Sequence, residues 1–190
     1  MRVALATCST LPGLFRDDQL LQEALLRRGV EAYPLVWNSE AGASDTPDLC
    51  ILRNTWDYHH NVQAFLTWAE AMAERSRLLN PWPLVRWNVH KGYLLELATR
   101  KVPTVPTLLA RRGRPLPVAA LAAAAGWSEV VVKPAVSAGP HRTARYASDD
   151  PEAQAHLDAL VADGDALLQP YLTGVEGYGE RSFLVIDGEL

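Results

Sequence analysis

Cysteine is scarce. The 190-residue chain has two, Cys8 and Cys50, too few for a disulfide framework and without the paired spacing of a zinc site. No stretch approaches the ~20 consecutive apolar residues that a membrane-spanning helix needs. The opening Met1-Arg2-Val3-Ala4-Leu5-Ala6-Thr7-Cys8 turns polar too soon for a signal peptide, and a first buried strand fits it better. Basic charge does not dominate. Lys and Arg total 18 against 22 Asp and Glu, a net charge of -4 with a pI near 5.7, and no long basic run argues for nucleic acid as the main partner. The glycine spacings of a Walker loop and of a dinucleotide fingerprint are both missing. So are internal repeats and low-complexity tracts, apart from an alanine-rich stretch at 118–125. What is present, 48% hydrophobic and 21% charged residues, is globular composition. The expectation is a soluble, cytoplasmic protein.

The first eighty residues alternate strand and helix patterns. Residues 3–8 form an apolar run suited to a strand covered on both faces. Asp17-Asp18 opens a helix, Leu20, Leu21, Ala24 and Leu25 give it one face, and Arg27-Arg28 before Gly29 suits its end. Residues 32–37 read as a strand that Pro34 assigns to a sheet edge. A polar loop over 38–47 leads to a strand at 49–52. Asn61 then caps a helix with Phe65, Trp68, Ala69 and Met72 at helical spacing. A short strand at Leu78-Leu79 closes what reads as a small parallel α/β layer with right-handed crossovers.

Beyond residue 81 the texture changes. Asn88 is expected to cap a helix running to Ala98, and a proline-punctuated strand follows over 103–109. Then come an alanine helix at 118–125 stopped by Gly126, strands at 130–132 and 143–146, a helix from Pro151 to about Ala162, and a strand at 166–169. The last apolar segment, 182–186, ends in Asp187-Gly188, a hairpin-turn dipeptide with almost no returning strand. It predicts a chain cut short.

Four features carry chemistry. Lys133 ends the apolar strand Val131-Val132 and must bring its charge to the surface or to a partner. The small residues after it, through Ser137, Ala138 and Gly139, let backbone amides approach an anion. A hairpin loop with a snorkelling lysine is an equal alternative. Lys91 lies in an early helical turn, where a solvated lysine is the commoner case. Gln169-Pro170-Tyr171-Leu172 forms a strand end where Pro170 has no N–H, leaving edge backbone open for a ligand. Glu176 and Glu180 flank two glycines in a loop before the next strand; a flexible solvated loop reads the same way.

In order and spacing these features resemble the ATP-grasp superfamily, from Asn80 to the end of the chain. The elements that match are Lys91, the strand Val105-Pro106-Thr107, Lys133-Pro134 before Ser137-Ala138-Gly139, the segment from Gln169 to Leu172, and Glu180. Arg53-Asn54-Thr55-Trp56-Asp57-Tyr58, Leu79-Asn80-Pro81 and Val85-Arg86-Trp87-Asn88 extend the likeness into the first domain. There the chain is similar to glutathione synthetase, to the ribosomal-protein glutamate ligase and especially to the cyclo-ligase subgroup of D-cycloserine biosynthesis.

The resemblance implies an α/β pre-ATP-grasp domain at 1–87, an α+β central lid domain at 88–165 and the start of a carboxyl-terminal ATP-grasp domain at 166–190. It implies ATP and Mg2+ as cofactors and ligation of a carboxylate to an amine through an acyl-phosphate. Lys91 and Lys133 would hold phosphates, and Ser137, Ala138 and Gly139 would close over them. Gln169, Pro170, Tyr171 and Leu172 would frame adenine, and Glu180 would accept from ribose hydroxyls. Arg53 would grip a substrate carboxylate and Asp57 an ammonium, with a local Arg53–Asp57 ion pair as the alternative. His90 stands before Lys91 where relatives often have Asp. The family's magnesium ligands lie beyond the second hairpin strand, so none is expected in this chain, and the fragment is expected to be inactive alone. A homodimer is left open. The rival readings are a non-catalytic nucleotide-binding module and a basic-lidded protein that takes an acidic metabolite without ATP.

Three further groups read as structural. The pair His59-His60 lacks a third ligand nearby. Nothing beside Cys8 would lower its pKa. Trp56, Trp82 and Trp87 are expected to pack between domains.

Overall fold

The structure is a computed structural model that describes residues 1–177 together with Gly179, Phe183, Val185, Gly188 and Glu189. The chain divides into two compact units, residues 1–102 with 135–141, and residues 103–134 with 142 onward.

The first unit is a parallel sheet with helices on it. Its elements are β1 (Arg2–Thr7), α1 (Arg16–Arg27), β2 (Glu31–Val36), α2 (Glu40–Ser44), β3 (Leu49–Asn54), α3 (Val62–Arg75), β4 (Arg77–Leu79), α4 (Trp82–Asn88) and α5 (Tyr93–Thr99), with a 3-10 turn at Tyr58–His60 before α3. The strand order is β2-β1-β3-β4, all parallel. The continuous apolar run of β1 is buried on both faces, as a central parallel strand requires. Ala4 and Ala6 join Leu35, Phe65, Trp68 and Met72 on one side, while Val3 and Leu5 join Leu14, Leu21 and Leu25 on the other. Pro34 sits in β2, which pairs only with β1 in this sheet, so the edge assignment holds.

Two local expectations are corrected. Asn88 does not open a helix but ends α4. That helix starts earlier, at Trp82, because Pro81 takes the N-cap and Pro83 fits the first turn, where no N–H is needed; α5 then restarts at Tyr93. The polar loop over 38–47 contains α2, whose N-cap Ser39 accepts from the Gly42 amide at 3.0 Å.

The second unit is an antiparallel sheet backed by two helices. It comprises β5 (Leu108–Ala110), α6 (Val118–Ala125), β6 (Glu129–Pro134), β7 (Ala144–Ala147), α7 (Pro151–Asp163), β8 (Ala166–Pro170) and the short α8 (Gly174–Gly177), in the strand order β5-β8-β6-β7. Val130, Val132, Ala166 and Leu168 bury one sheet face against Ala122, Ala153, Leu157 and Leu160 of α6 and α7. The strand expected over 103–109 is shorter and later. Pro103 and Pro106 have no N–H for a ladder, so pairing begins at Leu108. The loop expected around Glu176 is the single helical turn α8. No helix among the described residues is long and apolar enough to cross a membrane.

Candidate functional site

In the first unit the small-residue loop is held by a lysine. The Lys91 amide donates to Ala135 O at 2.8 Å, and Nζ donates to Ser137 O at 2.7 Å and to Ser137 Oγ at 2.9 Å. The Tyr58 hydroxyl donates to the same carbonyl at 3.1 Å. Ser137 is buried as a result. Gly139 has φ of 57° with open space where a Cβ would stand, so backbone conformation rather than crowding calls for glycine there. Lys91, Ser137, Ala138 and Gly139 therefore lie together.

In the second unit Lys133 and Gln169 share a sheet face. Residue pairs Val131–Gln169 and Lys133–Leu167 lie opposite across β6 and β8, so all four side chains project away from the helical core formed through Val130, Val132 and Leu168. Lys133 is half-buried and has no hydrogen-bond or ion-pair partner among the described residues. Burial alone pulls its pKa below the ordinary lysine value. Gln169 is buried and donates through Nε2 to Thr107 Oγ1 at 2.8 Å.

β8 is not an edge strand as a whole, since β5 and β6 flank it. Its pairing with β5 stops at Leu168, however, so from Gln169 onward the backbone has, among the described residues, a sheet neighbour on the β6 side only. Pro170 lies opposite Val130, and the Tyr171 amide donates to Glu129 O at 3.0 Å, so that amide is not open. The Tyr171 ring carries the Arg145 guanidinium 3.6 Å from its centroid, and Arg145 also forks onto Glu129 and Glu176. Those two carboxylates hold the guanidinium above its ordinary pKa. Leu172 is exposed. Glu180 lies outside the described residues.

Arg53 and Asp57 find separate partners, which displaces the local ion pair between them. Arg53 Nε donates to Asp18, a buried carboxylate in the first turn of α1 that also accepts from Asn54 Nδ2 at 2.7 Å. Asp57 Oδ1 accepts from Trp37 Nε1 at 2.6 Å.

Sequence spacing missed a third imidazole. His141 lies 4.8 Å from His59 and 5.6 Å from His60 by ring centroids, and His59 to His60 is 4.1 Å. Burial, reinforced by the neighbouring rings, lowers the His59 pKa. Among the described residues no three His, Cys, Asp or Glu form a metal-holding group. Cys8 and Cys50 are buried, and burial pushes the Cys50 thiol up to about 12. Trp82 and Trp87 pack inside the first unit, Trp82 against its core and Trp87 against Tyr93 at 4.8 Å with its Nε1 on Glu96. Trp56 is half-exposed beside Phe15.

A cavity of about 1050 Å³ opens at the carboxyl ends of β1, β2 and β3, lined among others by Ser9, Thr10, Trp37, Trp56, Asp57 and Trp68. Of these, sequence reading singled out only Asp57 as a candidate ligand; the parallel topology gathers the others around it.

Residues 3–80 match the family described as D-cycloserine synthetase DcsG, N-terminal domain. The cycloserine biosynthesis protein DcsG of Streptomyces lavendulae is 31% identical over 98% of this chain and 64% of its own length. The crystal structure of D-cycloserine synthetase DcsG superposes with a TM-score of 0.81 and 32% identity, covering 94% of this chain and 62% of that one. The chain resembles the amino-terminal part of an ATP-grasp ligase of the DcsG type. It spans somewhat under two thirds of those DcsG relatives. At the level of fold alone, the RimK domain ATP-grasp protein of Sphaerobacter thermophilus aligns with a TM-score of 0.67 at 20% identity, over 90% of this chain and 64% of that one. D-alanyl-alanine synthetase A of Vibrio cholerae aligns with a TM-score of 0.64 at 15%, over 91% and 60%. The likeness read from Lys91, Lys133 and the Ser137 loop therefore agrees with both sequence and fold.

Proposed function

We propose that this chain belongs to an ATP-dependent ligase that joins a carboxylate to an amine through an acyl-phosphate. The observation that carries the reading is Lys133, a half-buried ammonium with no carboxylate partner among the described residues. Such a charge is unfavourable unless an anion arrives, and a nucleotide phosphate supplies one. Phosphoryl transfer is largely positioning and charge neutralisation, for which lysines on separate elements serve as point charges. Lys91 is the second. Ser137, Ala138 and Gly139 form the loop over the phosphates and exclude water from the acyl-phosphate. The one-sided backbone from Gln169 through Pro170 and Tyr171 to Leu172 faces adenine, and Glu180 accepts from ribose.

Magnesium bound with the nucleotide would supply neutralisation of phosphate charge, and no cluster of three His, Cys, Asp or Glu among the described residues would hold it. Arg53 keeps both Nη atoms unbonded among the described residues, so its outer fork suits a substrate carboxylate while Asp18 fixes its Nε. The carboxylate attacks the γ-phosphorus and ADP leaves; the amine, as its free base, then displaces phosphate from the acyl carbon and releases a proton to water.

The chain has three lysines, Lys91, Lys101 and Lys133. Lysine-selective acetylation with peptide mapping tests the reading. A non-hydrolysable ATP analogue is expected to protect Lys91 and Lys133 and to leave the exposed Lys101 reactive. Equal labelling of all three with and without the analogue would contradict it.

A further inference from the structure

The cavity at the carboxyl ends of the first sheet has features that the nucleotide reading does not use. In an open parallel sheet of order β2-β1-β3, successive connections leave β1 in opposite directions, and the crevice at that switch point is where such sheets take ligands. Ser9 and Thr10 follow β1 and Trp56 and Asp57 follow β3, so the cavity opens at the switch point itself.

Its chemistry is uneven in an informative way. Three tryptophans line it, and the indole N–H groups of two are committed: Trp37 donates to Asp57 Oδ1, and Trp68 donates to Gly42 O at 2.9 Å. Those two indoles therefore offer ring surface rather than free N–H donors to the cavity. Among the described residues Asp57 is the only carboxylate on the lining, and its Oδ2 accepts no hydrogen bond from them. Arg75 is the only Lys or Arg on the lining among the described residues. It stands at the far end of α3, roughly 20 Å from that helix's start at 1.5 Å per residue, and its Nε and Nη2 already donate to Asp45 O and Gly42 O. His59 and His60 line the same mouth, and His59 is held toward its neutral form.

We infer that this cavity binds a small organic ammonium ion with an apolar or aromatic body, the ammonium on Asp57 Oδ2 and the body against the tryptophan rings. A carboxylate fixed by an indole N–H beside tryptophan rings favours a cation over a neutral donor, and aromatic faces add cation–π attraction. Within the ligase reading, on which this identification as a substrate pocket rests, the occupant is the protonated form of the amine that takes the acyl group, its proton passing to water before the attack.

The probe is benzylammonium, titrated into the 190-residue chain without nucleotide and followed by tryptophan emission, with benzyl alcohol as its neutral counterpart. Benzylammonium is expected to bind at least about tenfold more tightly than benzyl alcohol. Asp57→Asn keeps an acceptor for Trp37 Nε1, so it is expected to remove that preference and leave the alcohol unaffected. Ala64→Phe, on an exposed lining position of α3, is expected to block both. Equal affinity for the two probes, or a preference that survives Asp57→Asn, overturns the inference. Lysine protection by nucleotide without ammonium binding overturns this inference alone, whereas ammonium binding without lysine protection overturns the ligase reading alone.

Discussion

Lys91 Nζ donates to both oxygens of Ser137, at 2.7 Å to the carbonyl and 2.9 Å to the hydroxyl. One side chain thus fastens a loop forty-six positions away to the first unit. Hydrogen bonds from a charged donor contribute roughly 1.5–3 kcal/mol each, so their loss changes local opening well beyond measurement error. Lys91→Met is expected to speed amide exchange over residues 135–141 by about tenfold or more, and Ser137→Ala, which removes one acceptor, by less. Mass-spectrometric hydrogen exchange reads this directly. Unchanged protection in Lys91→Met would remove the lysine from that role.

Lys133 gives a pH signature. Its folded-state pKa lies below the ordinary lysine value because burial disfavours the charge. The folded state therefore releases this proton at lower pH than the unfolded state. The destabilisation is full below the folded pKa, shrinks as pH rises through it, and is gone above the unfolded value. An arriving phosphate reverses the shift, so analogue binding at alkaline pH is expected to take up a proton. Calorimetry in buffers of differing ionisation enthalpy measures it, and Lys133→Met should abolish the uptake.

Two glycines separate crowding from freedom. A Cβ at Gly42 would stand 2.3 Å from Val36 O and 2.6 Å from Trp37 O. The Gly42 carbonyl also receives Trp68 Nε1 and Arg75 Nη2. Gly42→Ala is expected to cost about 1–3 kcal/mol of overpacking, seen as a lowered Tm. Gly164 has extended backbone and open space at its Cβ. Gly164→Ala is expected to leave Tm unchanged or slightly raised.

The core of the second unit makes the third stability test. Leu157 is fully buried on α7 among Val130, Val132 and Leu168. Leu157→Ala removes methyl groups that the packed sheet cannot replace, and is expected to cost about 2–5 kcal/mol in denaturant unfolding. A loss below 1 kcal/mol would mean that α7 does not close this core.

The parallel layer was legible because its strands are apolar runs between capped helices. The β1 run, Asn61 ahead of α3 and Pro34 at the edge each follow from local chemistry, and each is found. Lys133 at its strand end was also visible, since a lysine closing an apolar run must find an anion or solvent. Three relationships were not visible. Asp18 and Arg53 are thirty-five positions apart, and only the placement of α1 beside β3 joins them. Asp57 pairs with Trp37 across two strand ends, and His141 reaches His59 through a long return of the chain. Such contacts depend on tertiary topology, whereas periodicity and capping report only a few residues either way. The prolines at 103 and 106 misled for a different reason. Their β-like backbone reads as strand, but without N–H groups they cannot enter a ladder.

The central claim is that Lys133 receives a nucleotide phosphate. Its most direct test is isothermal calorimetry with a non-hydrolysable ATP analogue on the wild-type chain and on Lys133→Met, with circular dichroism to show that both fold. The account predicts saturable binding by the wild type and at least a tenfold loss in the variant. Equal affinity in the two proteins would contradict it.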